Sequence, residues 1–466
     1  MSEGTVFAPA DSVVQALARS LRGKLVRPED AEYETARRVY NAMIDKRPRL
    51  VVQCADIADV IAAVNFARQH ELLVAIRGGA HNVAGFSTCD DGLVIDLSRL
   101  KGIRVNPMRR TVRVEGGCTW GDVDHATHAF GLATTGGLIS TTGVAGLTLG
   151  GGIGYLTRAC GLSADNLLSA DVVTADGRFL TASAEENPDL FWALRGGGGN
   201  FGVVTSFEFR LHPVNTVLAG PILWPIEKAG EAMRFYRDFM ANGPDDLNAF
   251  FAFLVVPPGP PFPEHLHNHK ACGVVVCHVG DMVKAEQAVK PLRQFGPPIF
   301  ELVGPMPFPV VQQLFDSLLP PGLYQYWKAD FVEDLTDAVI AAHLEHGPDV
   351  PNPSSAAHVY PVSGAAHRVG KHDTAFSYRD ANYVHIMASV AQDPGEVPKH
   401  KEWVRRYWEA LHPHSAGGSY VNFMMEEGED RVAASYRDNY SRLAQIKKKY
   451  DPSNLFRLNQ NIQPGR

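Results

Sequence analysis

An α+β fold in two domains is predicted by three features of this chain. Its 466 residues exceed what a single hydrophobic core ordinarily supports, so two domains, or one with a large insertion, are expected. Strand and helix patterns interleave irregularly up to Pro213, without the even alternation of a βαβ series. Beyond it the composition shifts: residues 214–418 alternate helices such as 227–240 with strands such as 249–256 and 383–388, and read as a substrate-facing domain. The chain therefore divides into 1–213, 214–418 and a tail, 419–466.

Residues 31–70 read as helix, strand, helix, with an apolar strand at 50–54 and helical spacing over 57–68. A buried strand at 72–76 runs into the turn Arg77-Gly78-Gly79. Strands follow at 93–97, 103–105 and 111–115, then a helix at 120–129. Residues 170–178 hold a strand and a turn on Asp176-Gly177, residue types that tolerate positive φ. A helical turn at 189–194 leads into the glycine run 196–199, and a strand resumes over 203–211. In the middle segment the Pro-rich loop 257–263 suits an exposed polyproline connection. The tail reads as a helix over 429–449 followed by the turn Asp451-Pro452-Ser453-Asn454.

Charge narrows the partners. With 44 basic against 51 acidic residues there is no basic stripe of the kind nucleic acid requires, so a small-molecule substrate is expected and no nucleic acid. Six scattered cysteines, Cys54, Cys89, Cys118, Cys160, Cys272 and Cys277, form neither a disulfide framework nor a zinc pattern and read as free thiols. Met1 to Ala10 carries no basic segment followed by an apolar run, and charge or glycine interrupts every apolar stretch before it could span a bilayer. A soluble cytoplasmic protein with no membrane contact is the resulting expectation.

Two glycine-rich stretches carry the chemistry: Arg77-Gly78-Gly79-Ala80-His81-Asn82 and, about sixty residues later, Gly143-Val144-Ala145-Gly146-Leu147-Thr148-Leu149-Gly150-Gly151-Gly152-Ile153-Gly154. Glycines at a strand end let the backbone approach a ligand, and successive N–H groups aimed at one point form a nest for a pyrophosphate. The second stretch does not match G-x-G-x-x-G and lies far from a simple βαβ unit, which disfavours a Rossmann site. A histidine such as His81, taken alone, is more often structural than reactive. His265, His267 and His269 lack a carboxylate or thiol to complete a metal site and read as solvated loop residues; His343-Leu344-Glu345-His346 departs from the zinc-protease spacing and reads as an exposed helix end. No metal is expected, and neither a P-loop nor a Gly-x-Ser-x-Gly elbow occurs.

Further motifs accompany the glycines: Gly161-Leu162-Ser163-Ala164-Asp165-Asn166, Asp189 to Gly196, Asn200-Phe201-Gly202-Val203-Val204-Thr205, Tyr420-Val421-Asn422-Phe423 and Tyr450 to Phe456. In this order, over most of the chain, they resemble the berberine bridge enzyme-like FAD-linked oxidases of the vanillyl-alcohol oxidase superfamily, which include the bacterial hydroxynicotine oxidases.

That resemblance implies an FAD-binding fold of the vanillyl-alcohol oxidase type, built from residues up to about Leu211 plus the tail, with a helix-covered β-sheet substrate domain over the reactive ring. It implies that His81 bonds covalently to the flavin and that Arg77, Gly78, Gly79, Ala80, Asn82, Thr142, Gly143, Gly146, Gly150, Gly151, Gly154, Tyr155, Asn166, Val204, Tyr420 and Asn422 surround the cofactor. Doubly linked members carry a Cys four residues before the Gly-Val-x-Gly segment, where this chain has Ile139, so a single bond through His81 is expected.

The implied activity is hydride removal from a small-molecule amine or alcohol, such as a secondary metabolite, sugar or xenobiotic, with dioxygen reduced to hydrogen peroxide. Thr142 occupies the position that governs oxygen access in the family, and its shape matches the permissive Val. A dehydrogenase with another acceptor, or a catalytically idle flavin-binding protein, is the alternative. In the resemblance, the family's tyrosine base and its supporting tyrosine are replaced by Phe423 and Ile153, and the glutamate base of the alkaloid-cyclising members by Arg368. Hydride transfer from a neutral amine needs no enzymic base, whereas alcohol oxidation would draw one from Tyr420, His358, Tyr360 or His385, with Tyr420 better suited to walling the flavin. The aromatic and histidine-rich middle segment (Tyr324, Tyr326, Trp327, His358, Tyr360, Tyr383, His385) reads as pocket lining.

Overall fold

Among the residues that the computed structural model describes, 9–465, the backbone forms four sheets. The N-terminal stretch read above for a leader lies outside them except for Pro9 and Ala10. The first sheet joins β1 (Lys24–Val26), β2 (Leu50–Gln53), β3 (Val74–Arg77) and β4 (Leu93–Asp96) in the order β1-β2-β4-β3, with β2, β4 and β3 parallel. Parallel neighbours need a crossover, which the helix Ile57–Gln69 supplies between β2 and β3. Asp56 caps it by accepting from Asp59 N–H, worth about 1 kcal/mol, and its Val60, Ala63, Val64 and Ala67 bury against the sheet. One regular crossover thus sits inside a domain whose pattern reads as irregular. It delivers β3 straight into the Gly78-Gly79 turn.

Next come β5 (Ile103–Asn106), β6 (Thr111–Glu115), β7 (Leu132–Ala133), β8 (Leu167–Val173), β9 (Phe179–Ser183), β10 (Val203–Arg210) and β11 (His212–Pro213). The antiparallel order β5-β6-β10-β8-β9 makes the second sheet, and β7 pairs with β11. The tail packs on this sheet: Val432, Tyr436, Leu443, Ile446 and Tyr450 share one core with Val112, Trp192 and Phe207. The single helix expected over 429–449 is two, Glu429–Tyr436 and Tyr440–Tyr450, because the chain turns at Arg437 with φ 46°. Its guanidinium sits over the Tyr378 ring and pairs with Asp380.

The middle segment contributes β12 (Thr216–Pro225), β13 (Leu247–Val255), β14 (Lys270–His278), β15 (Phe300–Glu301), β16 (Gly304–Pro307), β17 (Tyr324–Val332), β18 (Ala356–Pro361) and β19 (Tyr383–Ala391). They form an antiparallel sheet ordered β15-β12-β14-β13-β18-β19-β17, with β16 beside β12. Helices Ala229–Asn242, Met282–Gln294, Asp337–His346 and Val397–Leu411 cover one face, where Tyr236, Val289, Ile340 and Tyr407 meet Phe251, Phe253 and Met387. Alternate residues face the other way, toward the first half of the chain.

His343 is buried, not at an exposed helix end; its Nδ1 meets the Tyr407 hydroxyl at 2.6 Å. The Pro-rich loop is likewise only partly exposed: Pro257 is buried, and the Phe262 ring packs on Phe300. Half-buried His267 ties this loop, its ring lying 2.9 Å from Phe262 O. All six cysteines are free. Among the described residues no helix is long and apolar enough to cross a membrane, and no cluster of His, Cys, Asp or Glu is placed to hold a metal ion.

Candidate active site

A cavity of about 450 Å³ separates the two halves. Its floor is the turn after β3, the Thr142-Gly143 turn that opens helix Val144–Leu149, the loops at Gly198 and Gly202, and Asn459-Gln460 of the tail. Its roof is the uncovered face of the large sheet.

Two glycine turns touch at the floor. A Cβ built on Gly79 would lie 2.4 Å from Gly143 N, and one on Gly143 would lie 2.4 Å from Gly79 N, so neither position accepts a side chain. This contact brings unpaired donors together: the backbone N–H groups of Gly78, Gly79, Ala80, His81 and Asn82 donate to nothing in the protein among the described residues. Ala80 takes φ 57°, turning successive N–H groups toward one concavity, which is how a backbone nest holds phosphate oxygens. Gly146 also faces the cavity, where an added Cβ would meet no protein atom. A dinucleotide diphosphate therefore fits the floor, held by backbone donors without lysine or arginine.

His81 follows directly. Its ring stacks on Tyr40 at 3.8 Å, and its Nε2 lies 2.9 Å from the Thr141 hydroxyl. Nδ1 has no partner among the described residues. Burial pushes the imidazole pKa down to about 4, so the ring is neutral at pH 7. Ile139 and Thr142 also line the cavity, whereas no cysteine among the described residues does.

The roof is aromatic. His358 and Tyr360, two apart on β18, point to the same side, and His358 Nδ1 is hydrogen-bonded to the Tyr360 hydroxyl. Phe250 packs against both, at 5.2 and 5.0 Å between ring centroids, and Trp327 and Phe423 complete the wall. Burial lowers the His358 pKa to about 4 and raises that of Tyr360, keeping both neutral.

Several expected site residues stand elsewhere. His385 is one residue out of phase with cavity-lining Ile386; it faces the helix layer, 5.5 Å from His343, with neither ring nitrogen partnered. Tyr326 and Tyr383 also turn from the cavity, because strand alternation sends neighbours to opposite faces. The Tyr420 hydroxyl accepts from Gly152 N and Ile153 N at 2.9 and 3.2 Å and from Asn422 Nδ2, and burial raises its pKa to about 12. It braces the glycine block and is absent from the cavity lining, so the structure does not support it as a base.

Arg77 points behind the floor, its guanidinium bonded to the Ala36 and Arg37 carbonyls and 3.8 Å from Asp96. Asn166 spends its amide on Cys160 O and Leu162 O. Tyr155 is core, against Phe250. Gly150, Gly151 and Gly154 make room for protein: added Cβ atoms would meet Asn422 Oδ1 at 2.2 Å, Phe376 Cδ2 at 2.7 Å and Gly136 O at 1.9 Å. Gly78, Gly79, Ala80, His81, Asn82, Thr142, Gly143, Gly146, Val204 and Asn422 do line the cavity. Arg368 pairs with Asp245 outside it.

Thr141, Tyr40 and Phe250 escaped sequence reasoning. Thr141 alone had a signal, since it adjoins the glycine block.

A nest for a diphosphate beneath an apolar, aromatic roof points to a dinucleotide-dependent enzyme. Comparison with known proteins agrees. Residues 48–183 match the FAD binding domain family and residues 419–463 the berberine and berberine-like family. An FAD-linked oxidoreductase of Dictyostelium discoideum is 32% identical over 98% of both chains, and the (R)-6-hydroxynicotine oxidase of Paenarthrobacter nicotinovorans 30% identical over 96% of this chain and 97% of the other. Among solved structures, 6-hydroxy-D-nicotine oxidase from Arthrobacter nicotinovorans superposes with a TM-score of 0.86 at 28% identity, covering 96% of this chain and 99% of that one. Physcomitrella patens BBE-like 1 gives 0.87 at 25%, covering 97% and 99%. The chain belongs to the berberine bridge enzyme-like FAD-linked oxidoreductases of the vanillyl-alcohol oxidase superfamily, and it is an enzyme.

Proposed function

We propose that the protein is an oxidase that oxidises a small organic molecule in this cavity, passes the electrons to dioxygen and releases hydrogen peroxide, with its FAD bonded covalently through His81 alone. Bound FAD supplies the two-electron acceptor. The observation that carries the reading is His81: a neutral imidazole, stacked on Tyr40 and held at Nε2 by Thr141, presents a free Nδ1 at the cavity floor. The lining contains Ile139 and no cysteine among the described residues, which supports a single bond.

The remaining roles follow from placement. Backbone N–H groups of Gly78 to Asn82 bind the diphosphate, and Val204, Thr142 and Asn422 fill in around the rest of the cofactor. Thr142 keeps the floor open with a small β-branched side chain, which favours dioxygen as acceptor. Residues 1–213 and 419–466 act together as the cofactor half, as their shared core supports, and 214–418 as the substrate half.

The test is acid precipitation of the purified holoenzyme, proteolysis and mass spectrometry. FAD-derived mass on the His81 peptide and on no cysteine peptide is expected, with one peroxide formed per product. Flavin wholly in the acid supernatant would refute the covalent assignment, and product without peroxide would make the enzyme a dehydrogenase.

A further inference from the structure

The roof sets one polar dyad in an uncharged wall. Among the described residues, the cavity lining contains no Asp, Glu, Lys or Arg. An ammonium or carboxylate substrate would shed its water there with no counter-charge to replace it, a loss that apolar contact does not offset. A sugar fares no better, since Phe250, Phe315, Trp327, Ile386 and Phe423 offer almost nothing to its ring of hydroxyls. The polar groups facing this half are few, and two of them, His358 and Tyr360, already meet each other.

Resting on the oxidoreductase reading above, we propose that the substrate is an uncharged, largely apolar alcohol whose hydroxyl proton is taken by His358 Nε2, with Tyr360 as the positioning residue. In the tautomer this proposal assigns, Nδ1–H donates to the Tyr360 oxygen, which fixes the ring and leaves Nε2 unprotonated and without a protein partner among the described residues. Tyr360 is held in turn by Phe250 and by the Phe423 ring 6.1 Å away. Two bonds break as the carbinol becomes a carbonyl compound, the carbinol C–H and the hydroxyl O–H. The C–H pair would leave as hydride to bound FAD, the two-electron acceptor, while the O–H proton goes to Nε2 and the O–H electron pair becomes the second carbon–oxygen bond. The imidazolium then loses its proton to water when the carbonyl product leaves.

Binding and turnover test the two parts separately on the flavin-loaded enzyme. 2-Phenyl-2-propanol has no carbinol C–H and cannot be oxidised, so titration calorimetry with it reads the cavity alone. It is expected to bind at least tenfold more tightly than the isosteric ammonium, 2-phenylpropan-2-amine at pH 7, or than glucose. An ammonium bound equally well would overturn the uncharged-substrate assignment. Turnover is then read with a panel of aryl and alicyclic alcohols: His358→Gln should lower kcat about 100-fold with KM within threefold. Tyr360→Phe should lower kcat about tenfold while leaving flavin content unchanged. Full kcat in His358→Gln would overturn the base assignment. Selective binding of the tertiary alcohol with no oxidation of any alcohol would overturn the alcohol and proton-transfer assignments, and peroxide formed from another substrate class would show the oxidase reading to stand without them.

Discussion

Thr141 Oγ1 stands 2.9 Å from His81 Nε2, so the two nitrogens of one imidazole have different tasks. Thr141→Val keeps the shape and removes the hydroxyl, freeing the ring to rotate. Covalent flavin incorporation is expected to slow about tenfold, read as in-gel flavin fluorescence after denaturation, whereas His81→Ala should leave the denatured band dark. Equal incorporation rates in Thr141→Val would show that Tyr40 stacking alone orients the ring.

Gly79→Ala places a methyl 2.4 Å from Gly143 N, a backbone atom that cannot step aside cheaply. The two turns must separate, at a cost of about 1–3 kcal/mol. Flavin occupancy of the purified protein should fall well below that of the parent, as the ratio of 450 to 280 nm absorbance reports. Gly146→Ala, whose methyl meets no protein atom, should cost cofactor affinity without lowering the stability of the flavin-free protein.

Tyr420→Phe leaves the Gly152 and Ile153 N–H groups unpaired inside the protein. A stability loss of about 1–3 kcal/mol is expected, visible as a lower urea midpoint, with turnover per bound flavin within about threefold. A loss of 100-fold in turnover at unchanged stability would restore Tyr420 as the base.

Burial also predicts acid sensitivity. His385 is completely enclosed with both nitrogens unpartnered, and its pKa falls from 6.5 to about 3; His343 and His358 shift in the same direction. Below pH 6.5 the unfolded chain binds a proton that the folded protein excludes, so stability falls as pH drops through 6.5 and continues to fall until the folded-state pKa is reached. Above pH 6.5 the effect vanishes. At pH 5 the loss from His385 is about 2 kcal/mol. His385→Met should narrow the gap between urea midpoints measured at pH 8 and pH 5; an unchanged gap would mean that His385 takes up its proton in the folded state.

Local demands of the backbone were legible in the sequence. Glycine pairs at the end of a strand, a histidine directly after them and the order of the family motifs identified the cofactor half, because such turns depend on neighbours in the chain. The i, i+2 spacing of His358 and Tyr360 also meant that they share a face of any strand holding them. Which face meets the cavity was another matter. Register decides it: His358 lies opposite Ala252 and Ile386, which puts His385, one residue along, against the helices. Glycine composition was equally mute about purpose. Gly146 faces open cavity, while the space at Gly150, Gly151 and Gly154 is taken by Asn422, Phe376 and the Gly136 carbonyl, partners that no local pattern announces. Local motifs were enough for the family and for the nest residues Gly78 to Asn82; tertiary packing decided the rest of the floor and the whole roof, since a side chain's surroundings there are assembled from strands far apart in the chain.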